Sequence, residues 1–213
     1  LSGGDGNDTL GGGTGNDTII GGNGDDFELG DAGNDLFIAG AGNDTIVGGG
    51  NIDTLDFSGI TANVTVSLAS GTASSSQTGS DQFSGIELVI GGSGSDTITG
   101  DDADNLIIGG DGADSLVGGL GNDTLRAGGG GDNDTLEGGT GNDTADFSDS
   151  SGPLIINLSA GAVNGTLNGA GVVVAAGTAR GDGTDTFGNI ENIIGSGAAD
   201  TIVGGTGDNR LDG

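Results

Sequence analysis

Cysteine, histidine, lysine, methionine, tryptophan and tyrosine are all absent from this chain, and proline occurs once. Without cysteine there are no disulfides, and no thiol content speaks for a redox compartment. Without cysteine and histidine, zinc has no favoured ligands. The side chains that most often serve as nucleophile or base are also missing. Paired carboxylates alone can drive glycosidic chemistry, but every pair here is better explained as a cation site, so the chain reads as a non-enzyme. Positive charge is nearly missing too. Arg126, Arg180 and Arg210 stand against 32 acidic residues, for a net charge of −29. Nucleic acid and anionic membrane surfaces are therefore poor partners, and a cation is the natural one. No apolar run approaches the roughly 20 residues of a membrane span, which speaks against direct membrane insertion. No basic segment of a cleavable secretion signal opens the chain. The chain is expected to be a piece of a larger protein, or a unit that continues into a neighbour.

Apolar residues are scarce at 31% of the 213, while 53 are glycine. Composition alone would give disorder. The placing of the polar residues opposes that. A nine-residue unit, Gly-Gly-x-Gly-x-Asp-x-(apolar)-x, recurs, as in Gly12-Gly13-Thr14-Gly15-Asn16-Asp17-Thr18-Ile19-Ile20 and again from Gly109 to Val117. With the aspartate as position six, a first block places Asp8, Asp17, Asp26, Asp35, Asp44 and Asp53 at unbroken spacing. A second places Asp96, Asn105, Asp114, Asp123, Asp134 and Asp143, slipping by two residues across the Gly128–Gly131 run. Asp200 and Asn209 begin a third. Position eight is apolar in every row except that of Asp26, where Glu28 predicts a local defect or a different register.

Two related stretches interrupt the repeat, Ser58–Gly85 and Ser148–Asn189. Asp56-Phe57-Ser58 corresponds to Asp146-Phe147-Ser148, and Val64–Leu68 to Leu154–Leu158. Phe83, Ile86 and Glu87 correspond to Phe187, Ile190 and Glu191, which makes the second insert the longer one. The predicted organisation is a first block over 1–57, an insert over 58–85, a second block over 86–147, a longer insert over 148–189 and a third block over 190–213. Alternation at Val64–Leu68 reads as a strand. Each insert is expected to form short strands that pack on a roll end, with Phe57, Phe83, Phe147 and Phe187 as plugs.

Glycine permits positive φ, and Asn and Asp tolerate left-handed turns, so positions one to six make a turn. Positions seven to nine make a short strand with one inward side chain. Alternate rows stack, giving a coil of two repeats, with Asp17 above Asp35 on one edge and Asp26 above Asp44 on the other. Strands stack about 4.8 Å apart. Carboxylates at that spacing repel by roughly 3–4 kcal/mol at an effective dielectric near 20. Calcium suits such a gap, because it takes six to eight oxygens, carboxylate and carbonyl alike. Magnesium demands a stricter octahedron and keeps its water.

These residues resemble the RTX, or hemolysin-type, calcium-binding repeat family, whose nonapeptide forms a calcium-binding parallel β-solenoid. The Gly85-Ile86-Glu87 row and the Asp56-Phe57-Ser58 exit are similar to that family too. The resemblance implies an all-β fold, a right-handed parallel β-roll of nonapeptide repeats interrupted by the two strand-containing inserts. It implies roughly eight calcium ions. Their ligands would be the carboxylates of Asp8, Asp17, Asp26, Asp35, Asp44, Asp53, Asp96, Asp114, Asp123, Asp134, Asp143 and Asp200. The turn carbonyls would come from Gly4, Gly6, Gly13, Gly15, Gly22, Gly24, Gly33, Gly40, Gly42, Gly110, Gly112, Gly119, Gly121, Gly139 and Gly141. It also implies type I secretion from a bacterium and folding on meeting extracellular calcium. Glu28, Glu137 and the arginines are expected in solvent, with Arg126 or Arg210 paired to a nearby aspartate.

Other readings stand beside this one. The chain could be a structural segment of a surface layer, adhesin or filament that meets neighbouring copies or flanking domains. Halophilic acidity would explain the charge but not the glycines. An ice-binding solenoid needs flat ranks of threonine. Position seven supplies one (Thr9, Thr18, Thr45, Thr54, Thr124, Thr135, Thr144), but position three holds Thr only at Thr14, Thr140 and Thr206.

Overall fold

The computed structural model describes residues 1–129, 131–160, 163–167, 170–181 and 183–213. Gly130, in the predicted slip, and residues 161–162, 168–169 and 182, in the second insert, lie outside them. The described residues hold strands and turns, and no helix long and apolar enough to cross a membrane.

Each repeat folds as its spacing dictates. The β-branched and apolar residues after the aspartate form a strand, as in Thr18–Asn23 or Thr54–Asp56, and the position-eight side chain points inward. Successive rows alternate between two sheets. Pairing is parallel between every second row: Ile19 lies against Phe37, and Phe37 against Leu55. Ile19, Phe37, Leu55, Val89, Ile107, Leu125, Ala145 and Ile193 make one fully buried rank of the core. Leu116, Leu136 and Phe187 belong to the facing rank. The fold is a parallel β-roll.

The slip is absorbed without breaking either sheet. The coil that contains it is longer by the inserted positions, and both sheets keep their register across it, pairing Leu116 with Leu136 and Leu125 with Ala145.

The inserts contain the expected strands but do not cap a roll end. In the ten-stranded sheet the strands on either side of each insert pair directly, Leu55 with Val89 and Ala145 with Ile193. In the thirteen-stranded sheet each insert contributes three rungs. Val64–Ser67, Thr72–Ser75 and Gly79–Ser84 form an antiparallel meander. Its outer strands run parallel to the neighbouring repeats, Phe83 beside Ile46 and Val66 beside Ile98. Ile155–Asn157, Thr178–Arg180 and Thr184–Gly188 repeat the device. An insert is spliced into the sheet because its alternating residues present the same inward face as a repeat.

Each meander puts three strands where the opposite sheet offers one space, two more than it needs. At about 4.8 Å per strand, the sheets need bulky filling there. Phe57, Phe83, Phe147 and Phe187 supply it, all buried. Phe147 and Phe187 pack tilted, with ring centroids 6.4 Å apart. The additional length of the second insert holds an antiparallel hairpin, Val163–Leu167 with Ala170–Val174.

Candidate metal centres along the two edges

The position-six aspartates form two ladders, one on each edge of the roll. Within each block one carboxylate oxygen accepts the backbone N–H of the position-six residue one coil earlier, while Asp96 and Asp200, which follow the inserts, accept from Val64 and Leu154 at 2.7 and 2.8 Å. Asp8 donates to Asp26 and Asp17 to Asp35 at 2.8 Å each, Asp26 to Asp44 at 2.9 Å and Asp35 to Asp53 at 2.8 Å. In the second block Asp96 donates to Asp114, Asn105 to Asp123 and Asp114 to Asp134, each at 2.8 Å, and Asp123 to Asp143 at 2.9 Å. A parallel ladder at position five runs in the opposite sense: Asp25 N–H donates to Asn7 Oδ1 and Asn43 N–H to Asp25 Oδ1.

The ladders extend one rung beyond each block, to Asp81 and Asp185, which the sequence reading missed, and to Glu87 and Glu191, whose rows it reads as degenerate repeats. Asp44 donates to Asp81 and Asp134 to Asp185, both at 3.1 Å, while Asp53 donates to Glu87 and Asp143 to Glu191. The signal was present: Asp81 and Asp185 each stand two residues before a core phenylalanine, the relation of position six to position eight.

Apart from Asp44, Asp134 and Asn209, the rows fall into two kinds by the second side-chain oxygen. In Asp8, Asp17, Asp26, Asp35, Asp53, Asp114, Asp123 and Asp143 it is buried and has no hydrogen-bond partner. In Asp96 and Asp200 it accepts an N–H from Gly92 or Ser196 at 2.7 Å, four residues earlier in the same turn. Asn105 places its amide oxygen likewise, accepting from Asp101 N at 2.9 Å. Backbone hand follows the same division. The position-two residue is left-handed in all eight rows of the first kind, namely Gly4, Gly13, Gly22, Asp31, Gly49, Gly110, Gly119 and Gly139. Gly92, Asp101 and Ser196 are not. A left-handed position two thus goes with an uncapped carboxylate oxygen.

The glycines named from sequence are left-handed throughout, except Gly40. Many of those at positions two and four are stacked so closely that no Cβ fits: one built on Gly24 would lie 2.5 Å from the carbonyl oxygen of Gly6. The position-one glycine was not singled out, and it lines the centre. A Cβ on Gly12 would lie 2.7 Å from Asp17 Oδ2 and 3.0 Å from the carbonyl oxygen of Gly30. The same pair of neighbours, an aspartate Oδ2 and a carbonyl of the next coil, surrounds Gly3, Gly30, Gly109 and Gly118. Each such turn therefore gathers one carboxylate oxygen without a donor and a carbonyl from the next coil.

A buried carboxylate oxygen without a donor is costly, and burial disfavours the charged form of a carboxyl group. Asp114 rises to about 7 and Asp123 to about 6, in both cases chiefly through burial. Burial likewise raises Asp44, Asp53, Asp96 and Asp143. Among the described residues no base relieves them. Arg126 pairs instead with Asp146 at 2.6 Å and Arg210 with Asp212 at 3.9 Å. Burial would raise Asp146, but the Ser148 amide and the Arg126 guanidinium outweigh it and hold it below the usual range. Among the described residues no three carboxylates converge on one point. The donor set is one carboxylate oxygen with surrounding carbonyls, which fits a hard, oxygen-seeking cation such as calcium.

Glu28 overturns the expectation that it is solvated. It occupies the core rank between Leu10 and Ile46 and is 1% exposed. Burial, then Asp44 and Asp26, push it up to about 7.

Residues 1–27, 29–55, 90–125, 128–146 and 185–213 match the family model described as the RTX calcium-binding nonapeptide repeat (4 copies). The chain belongs to this family. The match lapses at Glu28 and over most of each insert, where the structure departs from the plain repeat. Comparison with curated proteins gives no match. Among solved structures, the extracellular lipase LipA from Serratia marcescens aligns at 21% identity with a TM-score of 0.30, over 81% of this chain and 36% of the lipase chain. So loose a superposition leaves the fold to rest on the strand pairing above.

Proposed function

We propose that this RTX region is a calcium-triggered folding module of a larger secreted bacterial protein, and that its ions sit in the turns of Asp8, Asp17, Asp26, Asp35, Asp53, Asp114, Asp123 and Asp143. The observation that carries the reading is the buried, partnerless carboxylate oxygen in each of those rows. In the metal-bound chain, Asp Oδ2 and the neighbouring glycine carbonyls hold the ion, while Oδ1 keeps its backbone hydrogen bond and ties adjacent coils. Calcium supplies the positive charge that the chain lacks.

The rows of Asp96, Asn105 and Asp200 are capped by their own backbone. They serve as seams that need no ion where repeats resume after an insert. Without calcium, single inward side chains per row cannot offset chain entropy and stacked charge. The chain stays unfolded and exportable at cytosolic calcium and folds outside, where affinities of about 10⁻⁴–10⁻³ M suffice.

Far-UV circular dichroism during calcium titration from excess chelator tests the trigger, and equilibrium dialysis counts the ions. The expected result is a cooperative rise in β signal with about eight ions bound per chain. A full β signal in chelator refutes the trigger. Asp17→Asn is expected to remove bound calcium and Asp96→Asn to leave it unchanged; equal losses refute the assignment of rows.

A further inference from the structure

Among the described residues Glu28 is the one charged side chain in the core-facing rank of the repeats, and it reaches into a turn. Its Oε1 and Asp26 Oδ2 both crowd the space that a Cβ on Gly21 would fill. In the comparable turns of Gly3, Gly12 and Gly30, the second neighbour is instead a carbonyl oxygen of the next coil. Glu28 Oε2 and Asp26 Oδ2 are both buried without a hydrogen-bond partner, in residues 1% and 3% exposed. Among the described residues no arginine pairs with either. The Gly21 backbone hydrogen-bonds the Glu28 carboxylate but leaves Oε2 without a partner, whereas leucine or isoleucine at this place would continue the core between Leu10 and Ile46 with no buried charge.

We propose that Glu28 is a second metal ligand, forming with Asp26 a two-carboxylate cation site that binds calcium more tightly than the single-aspartate turns. The inference rests on the reading that the turns take calcium. Affinity at oxygen sites rises with ligand charge, and two carboxylates at one ion cancel its charge locally. The site enters from the core side, whereas the ordinary turns are served by position six and the backbone alone. A tight site next to the Asp44 rung would order the first coils before the weaker sites fill.

The test is competitive calcium titration against a chromophoric chelator, on the full chain, for the native sequence, Glu28→Gln and Glu28→Leu. The native chain is expected to show one site at least tenfold tighter than the rest. Both variants are expected to lose that tight class, while the weaker sites and the calcium-loaded circular dichroism spectrum persist. Glu28→Leu fits the core and guards against a loss of fold. Glu28→Gln mimics a merely protonated carboxyl, so an unchanged tight class in Glu28→Gln overturns the proposal, as does its absence from the native chain. If the native chain binds no calcium at all, the broader reading fails instead.

Discussion

Two adjacent glycines separate conformational tolerance from ion binding. Neither Gly11 nor Gly12 is left-handed, so alanine is free of backbone strain at both. A Cβ on Gly11 meets nothing within 4 Å, whereas on Gly12 it meets Asp17 Oδ2 and the Gly30 carbonyl. Gly11→Ala is expected to be neutral or stabilising by up to about 1 kcal/mol. Gly12→Ala is expected to destabilise the calcium-loaded chain by roughly 1–3 kcal/mol and to lower bound calcium, as read by thermal unfolding and dialysis. Equal behaviour of the two would remove the turn of Asp17 as a centre. The nonapeptide showed which glycines turn the chain. It could not show that position one lines the cavity, because that follows from contact with the next coil, as between Gly12 and Gly30.

Four other buried carboxyl groups set a pH dependence. Folded-state values of about 7 for Glu28 and Asp114, and about 6 for Asp81 and Asp123, lie above the unfolded range, with burial the leading cause in each. The calcium-free roll therefore binds more protons than the unfolded chain. Its stability is fullest below the unfolded values near 4 and is lost as pH rises through about 6 to 7. In chelator, acidification from about pH 8 to about pH 5 is expected to increase β signal. In calcium the order reverses, because protons compete for the same oxygens, and the folding midpoint moves to higher calcium as pH falls. Calcium-free β signal that is indifferent to pH contradicts the buried-carboxylate account.

Among the elements, the repeats were readable because one aspartate and one apolar residue per row specify turn, strand and facing together. The inserts were half readable. Alternation at Val64–Leu68 and the phenylalanines marked strands and core, but nothing local says that a meander will be taken up as three rungs of one sheet. That depends on partners such as Ile46 and Ile98, outside the insert. Because each meander adds strands to only one sheet, its fit rests on aromatic bulk, and Phe147 and Phe187 carry it at the second insert. Phe187→Ala is expected to cost about 3–5 kcal/mol in the calcium-loaded chain. A double-mutant cycle with Phe147→Ala is expected to show coupling of about 0.5–1.5 kcal/mol. Strict additivity in denaturant unfolding means that the rings fill the space independently.

At the scale of the whole molecule, a net charge of −29 can be relieved by screening or by coordination, and the two make different demands. Salt shortens the Debye length from about 10 Å at 0.1 M to about 3 Å at 1 M, below the roughly 4.8 Å between stacked rungs. Screening alone therefore predicts that concentrated sodium chloride folds the calcium-free chain, as halophilic acidity would. Coordination predicts otherwise. The oxygens of Asp8, Asp17, Asp26, Asp35, Asp53, Asp114, Asp123 and Asp143 are buried, so a diffuse ion atmosphere does not reach them, and they lack a donor rather than a counter-charge at a distance. In chelator with about 2 M sodium chloride, the β signal is expected to stay below half its calcium-loaded value. Calcium in excess of about 10⁻³ M is expected to restore it fully at the same ionic strength. Complete folding in sodium chloride alone overturns the coordination account and leaves the acidity of this chain a matter of surface charge.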